Sequence, residues 1–164
     1  TKMIGYVDIL YSTSKILKEN FPNHNIYIDS NKQQVGIPSF YIQVVPVINK
    51  SISNKYRYKI TDLYITYVDK KADNTLKLNT LDDMCEYLEE IPIYNSKDIN
   101  KIISYFNIIE RKITNTIDPT IKISFQYFDT KREPIKENEG EMYEALMEIL
   151  SLNLKTIPPM NNAE

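Results

Sequence analysis

Ile121-Lys122-Ile123-Ser124-Phe125-Gln126-Tyr127 alternates apolar and polar side chains without a break. Successive side chains of a β-strand point to opposite faces, so this period of two marks a strand with one face in a core. A turn over 116–119, closed by Pro119, precedes it. Further upstream, Lys55 to Val68 is the longest strand candidate. Tyr56, Tyr58 and Ile60 share one face of it, whereas Leu63, Ile65 and Tyr67 share the other. A slip of one residue exchanges the faces of a strand, so a bulge or sharp twist is expected near Thr61-Asp62.

Helices flank these strands. Ile4, Val7, Leu10, Tyr11, Ser14, Leu17 and Phe21 recur at helical spacing, opposite Asp8, Ser12, Lys15 and Glu19, and Pro22 stops the pattern. A short strand over 26–29, a polar loop over 30–36 and a second strand over 40–45 follow, with 46–54 expected as a loop. Thr80 and Asp83 resemble a capping box for a helix whose stripe is Leu81, Met84, Cys85, Leu88 and Ile91, ended by Pro92. Residues 99–113 fit either a helix or a strand, and 104–113 is assigned as strand on its density of Ile, Tyr and Phe. Residues 139–155 are expected to form a C-terminal amphipathic helix whose apolar surface includes Met142, Leu146, Ile149 and Leu150. The expected fold is α+β, with a mixed or antiparallel sheet of four to five strands flanked by two helices. The expected organisation is a domain over 1–132, a linker over 133–138, the terminal helix and a flexible tail over 156–164.

Composition argues against catalysis. The chain has 1 His, 1 Cys, 3 Gly and no Trp, against 13 Tyr in 164 residues. Neutral-pH catalysis leans on histidine and cysteine, and phosphate cradles lean on glycine. His24 sits in an Asn-rich turn and Cys85 on an apolar helical stripe, both structural placements. Asp82, Asp83, Glu86, Glu89 and Glu90 read as a solvated helix face rather than a metal site, because no histidine accompanies them. A carboxylate hydrolase built on Asp62, Asp69 or Asp118 is an alternative that lacks a pairing signal. No catalytic residue, cofactor or metal is therefore assigned, and no stretch reaches the roughly 18 apolar residues of a membrane helix.

Charge is unevenly spread. The net charge of −2 divides into +5 over 1–59 (8 Lys/Arg, 3 Asp/Glu), −5 over 60–99 (4 and 9) and −2 over 100–164 (8 and 10). Such polarity suits a part that packs opposite sign to opposite sign against copies of itself. Lys55-Tyr56-Arg57-Tyr58-Lys59 interleaves cations and rings as single-strand platforms do. Alternation, however, places rings and cations on opposite faces, and a pI near 5.6 further disfavours nucleic acid.

Ile4 to Phe21, Ile26-Tyr27-Ile28, Pro38-Ser39-Phe40-Tyr41-Ile42, and Arg57-Tyr58 leading to Ile65-Thr66-Tyr67 resemble a family of small tail proteins. The resemblance continues through Leu81–Ile91 to Ile121–Phe128 and spans about residues 4–130. These proteins occur in phages and phage-like contractile particles of Gram-positive bacteria, and members resemble tail terminators. The resemblance implies a structural assembly protein, not an enzyme, forming a hexameric ring that caps the tail tube and ends its polymerisation. Its implied partners are the tube protein, the sheath and a neck or collar. Its implied location is the bacterial cytoplasm during assembly and then the released particle. Another neck or tail-completion component is the near alternative. Lys32, Lys50, Lys55 and Arg57 are candidate contacts for acidic partners, and Met142, Leu146, Ile149 and Leu150 for an apolar one. The C-terminal helix departs from the family pattern and is a candidate docking arm.

Overall fold

The computed structural model describes residues 3–28, 38–105 and 107–131. In chain order the elements are α1 (Tyr6–Asn20), β1 (Asn25–Tyr27), β2 (Ser39–Ser51), β3 (Tyr56–Val68), α2 (Asn74–Tyr87), β4 (Pro92–Asn95), β5 (Asp98–Tyr105), β6 (Asn107–Asn115) and β7 (Thr120–Thr130). Five strands form one mixed sheet in the order β1-β2-β3-β7-β6, and β4 and β5 form a separate hairpin. β1 runs parallel to β2, and every other pair is antiparallel. This is an α+β fold with two helices among the described residues, as expected. The chain divides after Lys131. The anticipated linker at 133–138, helix at 139–155 and tail at 156–164 lie outside the described residues. So does the loop at 30–36 with Lys32.

The core lies on one face of the sheet. Phe40 and Ile42 of β2, Leu63, Ile65 and Tyr67 of β3, and Ile121, Ile123 and Phe125 of β7 meet Ile9 and Leu17 of α1 and Met84 of α2. β7 behaves as its alternation predicts. β3 does not slip: Lys59, Thr61, Leu63, Ile65 and Tyr67 are buried in one unbroken phase. The irregularity sits across the ladder instead, where Pro46 pairs with Thr61 and Ile48 with Ile60, leaving Val47 as the extra residue. Pro46 has no N–H to give a ladder, and a bulge is where a strand tolerates it.

The helices also differ in detail from expectation. Ser12 and Thr13 belong to the buried face of α1, while Val7 is exposed. Both hydroxyls return a bond to the preceding turn, Ser12 to Asp8 O at 2.6 Å and Thr13 to Ile9 O at 2.8 Å, which makes them buriable. Asp8 then fastens three parts together. One carboxylate oxygen accepts the Gly5 N–H at the helix start, and the other accepts the Ser96 N–H beyond β4, each at 2.8 Å. The Tyr94 N–H adds a bond to Ser12 Oγ at 2.8 Å, so the β4–β5 hairpin is tied to α1.

α2 starts earlier than Thr80. Asp73 is its cap, accepting the Leu76 N–H at 2.8 Å, whereas Thr80 donates to Leu76 O within the helix. The first two turns carry no apolar stripe, because Leu76 and Leu78 are exposed, so periodicity alone could not find the start. The helix ends at Tyr87, and Pro92 opens β4 rather than closing the helix. Among the described residues no helix is long and apolar enough to cross a membrane.

Candidate assembly surface

The segment 46–54, expected as a loop, is mostly strand. β2 continues to Ser51 and, with β3, forms a β-hairpin arm whose tip is Ile52 to Lys55. Every residue from Pro46 to Tyr56 is exposed, so the ribbon lacks the one-sided burial that makes a strand legible in sequence. Its tip is nonetheless ordered chemically. The Ile52 N–H donates to Tyr56 O at 3.2 Å, and Ser53 Oγ accepts the N–H groups of Lys55 and Tyr56 at 3.2 and 3.1 Å. Hydroxyl-to-backbone bonding of this kind fixes tight turns.

The arm is anchored at its base. Lys59 Nζ lies 2.7 Å from Asp129 Oδ2, with side chains 8% and 1% exposed. Asp129 Oδ1 accepts the Ile4 N–H at 2.8 Å, and Lys59 donates to Ile4 O at 3.3 Å. The same ammonium sits 5.0 Å from the Tyr6 ring centroid and 5.8 Å from that of Tyr127. Burial pushes the Tyr127 hydroxyl up to about 12, so it stays neutral beside the pair. A charge taken out of water needs its remaining bonding sites filled, and this network fills them with the backbone of the N-terminal segment. It therefore joins β3, β7 and the entry to α1 at one point.

Of the sequence-predicted contacts, Lys50, Lys55 and Arg57 all lie on the arm, with Lys50, paired with Tyr58, and Arg57, paired with Ser51, on opposite faces of the ribbon. Arg57 reaches Asn49 Oδ1 at 3.4 Å, and Asn49 in turn donates to the Tyr6 hydroxyl at 3.2 Å. Lys32, Met142, Leu146, Ile149 and Leu150 lie outside the described residues. Lys59, the last cation of the interleaved run, is withdrawn from any surface by Asp129. Sequence reasoning missed the apolar component of the arm: Val47, Ile48, Ile52 and Tyr56 are all well exposed, and the Phe128 ring packs at a tilt against that of Tyr58. A loop over 46–54 would not set these residues on one ribbon.

The remaining candidates have structural surroundings. Asp62 accepts from Ser124 Oγ at 2.6 Å and lies 3.6 Å from Lys122 Nζ. Asp69 accepts from the Tyr67 hydroxyl and the Lys71 N–H. Asp118 lies in the turn between β6 and β7. Burial raises the Cys85 thiol above its ordinary pKa, despite Arg111 nearby, which suppresses the thiolate. His24 stacks on Phe40 with centroids 5.2 Å apart, and burial lowers its pKa. Among the described residues no group of three or more His, Cys, Asp or Glu is placed to hold a metal.

On the opposite flank, Asp82, Asp83 and Glu86 line the exposed side of α2, with Glu89 and Glu90 just beyond it. Arg111 of β6 secures that end, donating to the carbonyls of Leu88 and Glu89 and pairing with Glu89 Oε2 at 2.8 Å. A cation there also complements the negative end of the helix dipole.

The chain resembles known proteins in the same sense. In the solved structures, it is similar to the sheath/tube terminator of an extracellular contractile injection system (PVC) in its extended state. The TM-score is 0.52 at 12% identity, over 94% of this chain and 73% of that one, a likeness of fold. A second solved chain aligns at a TM-score of 0.39 and 13% identity, over 80% of this chain and 99% of its own length. No curated protein matches the sequence significantly. The model of the family described as phage tail terminator protein matches residues 8–118, from the first turn of α1 to the turn before β7. The chain thus belongs to the phage tail terminator protein family and has a structural, tail-completing role.

Proposed function

We propose that this chain assembles as a ring, six copies in the simplest form, on the end of a tail tube. There it halts tube polymerisation and presents a surface to the neck or collar. The observation that carries this reading is the family match over 8–118. The likeness of fold to a sheath/tube terminator adds to it. A ring subunit needs a stiff sheet and side contacts that repeat head to tail. The five-stranded sheet supplies the first, and the anchored arm with Lys50, Lys55 and Arg57 supplies a contact for the second. The partners are further copies of this chain, the tube protein and, in a contractile particle, the sheath. Assembly takes place in the bacterial cytoplasm, and the chain leaves with the particle. Residues 139–155 serve as a docking arm through Met142, Leu146, Ile149 and Leu150. No step of this role requires chemistry from a side chain.

Location tests the reading. A tagged full-length chain, labelled with gold and viewed by electron microscopy, should mark one end of each tube. Label distributed along the tube, or absent from tubes, contradicts it.

A further inference from the structure

Two faces of one copy complement each other but lie too far apart to meet. The arm presents Val47, Ile48, Ile52 and Tyr56 to solvent, with exposed Lys50 on the ribbon and exposed Lys55 at its tip. An exposed apolar patch with a charged rim marks a contact surface. The exposed side of α2 presents Asp82, Asp83 and Glu86 between exposed Leu78 and Tyr87. Among the described residues no cation pairs with these three carboxylates, nor any acid with Lys50 or Lys55.

Geometry separates them. Arg111 holds the C-terminal end of α2, and Arg111 is in register with Ile123, which is in register with Leu63. From the level of Leu63, the Ser53 tip is ten residues along the strand, about 30 Å at the usual rise, and Lys50, which pairs with Tyr58, is five, still about 17 Å. No lysine side chain spans that distance. The arm and α2 therefore cannot neutralise each other within one copy. Surfaces that match but sit at different places on a subunit are what a heterologous, head-to-tail contact requires, and such a contact closes into a ring when its rotation allows.

We infer that the arm of one copy docks on the exposed face of α2 of the next, with Lys50 and Lys55 opposite Asp82 and Glu86. This deepens the ring reading above by naming its contact, and it rests on that reading. The occupant is a second copy because the chain itself carries the complementary charge and apolar flanks, and net charges of +5 over 1–59 and −5 over 60–99 lend it encounter and register.

A charge swap in the full-length chain tests it, read by native mass spectrometry and light scattering, with circular dichroism to verify folding. All four positions are exposed, so the variants should fold. K50E/K55E and D82K/E86K should each lower the ring fraction at least about tenfold, the equivalent of 1.4 kcal/mol. Combining all four substitutions should restore it. Rings unaffected by either pair, or a loss that the combination fails to restore, overturn the contact while leaving the terminator reading intact. Rings that form in K50E/K55E but no longer bind tubes assign the arm to the tube protein and overturn it equally. A wild-type chain that forms no ring, alone or on tubes, removes the ring reading along with it.

Discussion

Lys59 and Asp129 stand 70 residues apart in sequence and 2.7 Å apart in space, more than nine-tenths buried, and clasp the backbone of Ile4 between them. Losing one member of such a pair leaves an uncompensated charge, which costs more than the pair itself contributes. Lys59→Met should therefore destabilise the fold by about 3–5 kcal/mol in urea denaturation, with Lys59→Met/Asp129→Leu recovering most of that loss. A double variant no more stable than the single one contradicts this account of the anchor.

The corrected start of α2 makes a distinct prediction. Asp73→Ala removes the bond to the Leu76 N–H and should cost about 1 kcal/mol by chemical denaturation. Asp83→Ala, at the position the sequence pattern favoured, should change stability by less than about 0.5 kcal/mol, as for an ordinary exposed site. The reverse ranking would return the cap to Thr80.

Arg111 acts as a fork on the end of α2, so its shape matters as well as its charge. Arg111→Met should cost about 1–3 kcal/mol, because it strips partners from the Leu88 and Glu89 carbonyls. Arg111→Lys should recover only part, since one ammonium cannot fork as a guanidinium does. Hydrogen exchange should quicken first around 85–91. Unchanged protection there would mean that the clamp does not hold the helix end.

His24 gives the fold a pH dependence of defined sign. Burial lowers its pKa from 6.5, and Nδ1 has no hydrogen-bond partner among the described residues. The unfolded chain therefore binds the proton more readily than the folded one, so stability is full above about 6.5 and declines as pH falls toward the depressed folded value. Tyr67 and Phe21 pack around the ring as well, and Asp69 and Lys18 are the charged groups that act on it, in opposite directions. His24→Phe should flatten the stability profile just below pH 6.5. A slope that survives the substitution assigns it to other groups.

Much of the fold is legible in the sequence wherever burial is one-sided. β7 shows its alternation because one face packs under the helices while Lys122 and Gln126 face outward. β3 hides its phase because Lys59 and Thr61, polar by type, are buried, and only their distant partners on β7, Asp129 and the Tyr127 hydroxyl, explain why. The outer half of β2 is illegible for the opposite reason: it is exposed on both sides and carries Pro46, so nothing in its pattern distinguishes a ribbon from a loop. The β4–β5 hairpin depends on Asp8 and Ser12 of α1, a tertiary tie that no local window contains. Of the assembly surface, the cations were readable, whereas the apolar centre and the anchor beneath it required the strand register.

The central claim is that this chain ends tube growth, and tube length in producing cells that lack it tests that most directly. Electron microscopy should find overlong tubes of broadly spread length, returning to a uniform length when the chain is supplied. Tubes of wild-type length that merely fail to join a neck or collar would contradict the claim and assign the chain to a later step of tail completion.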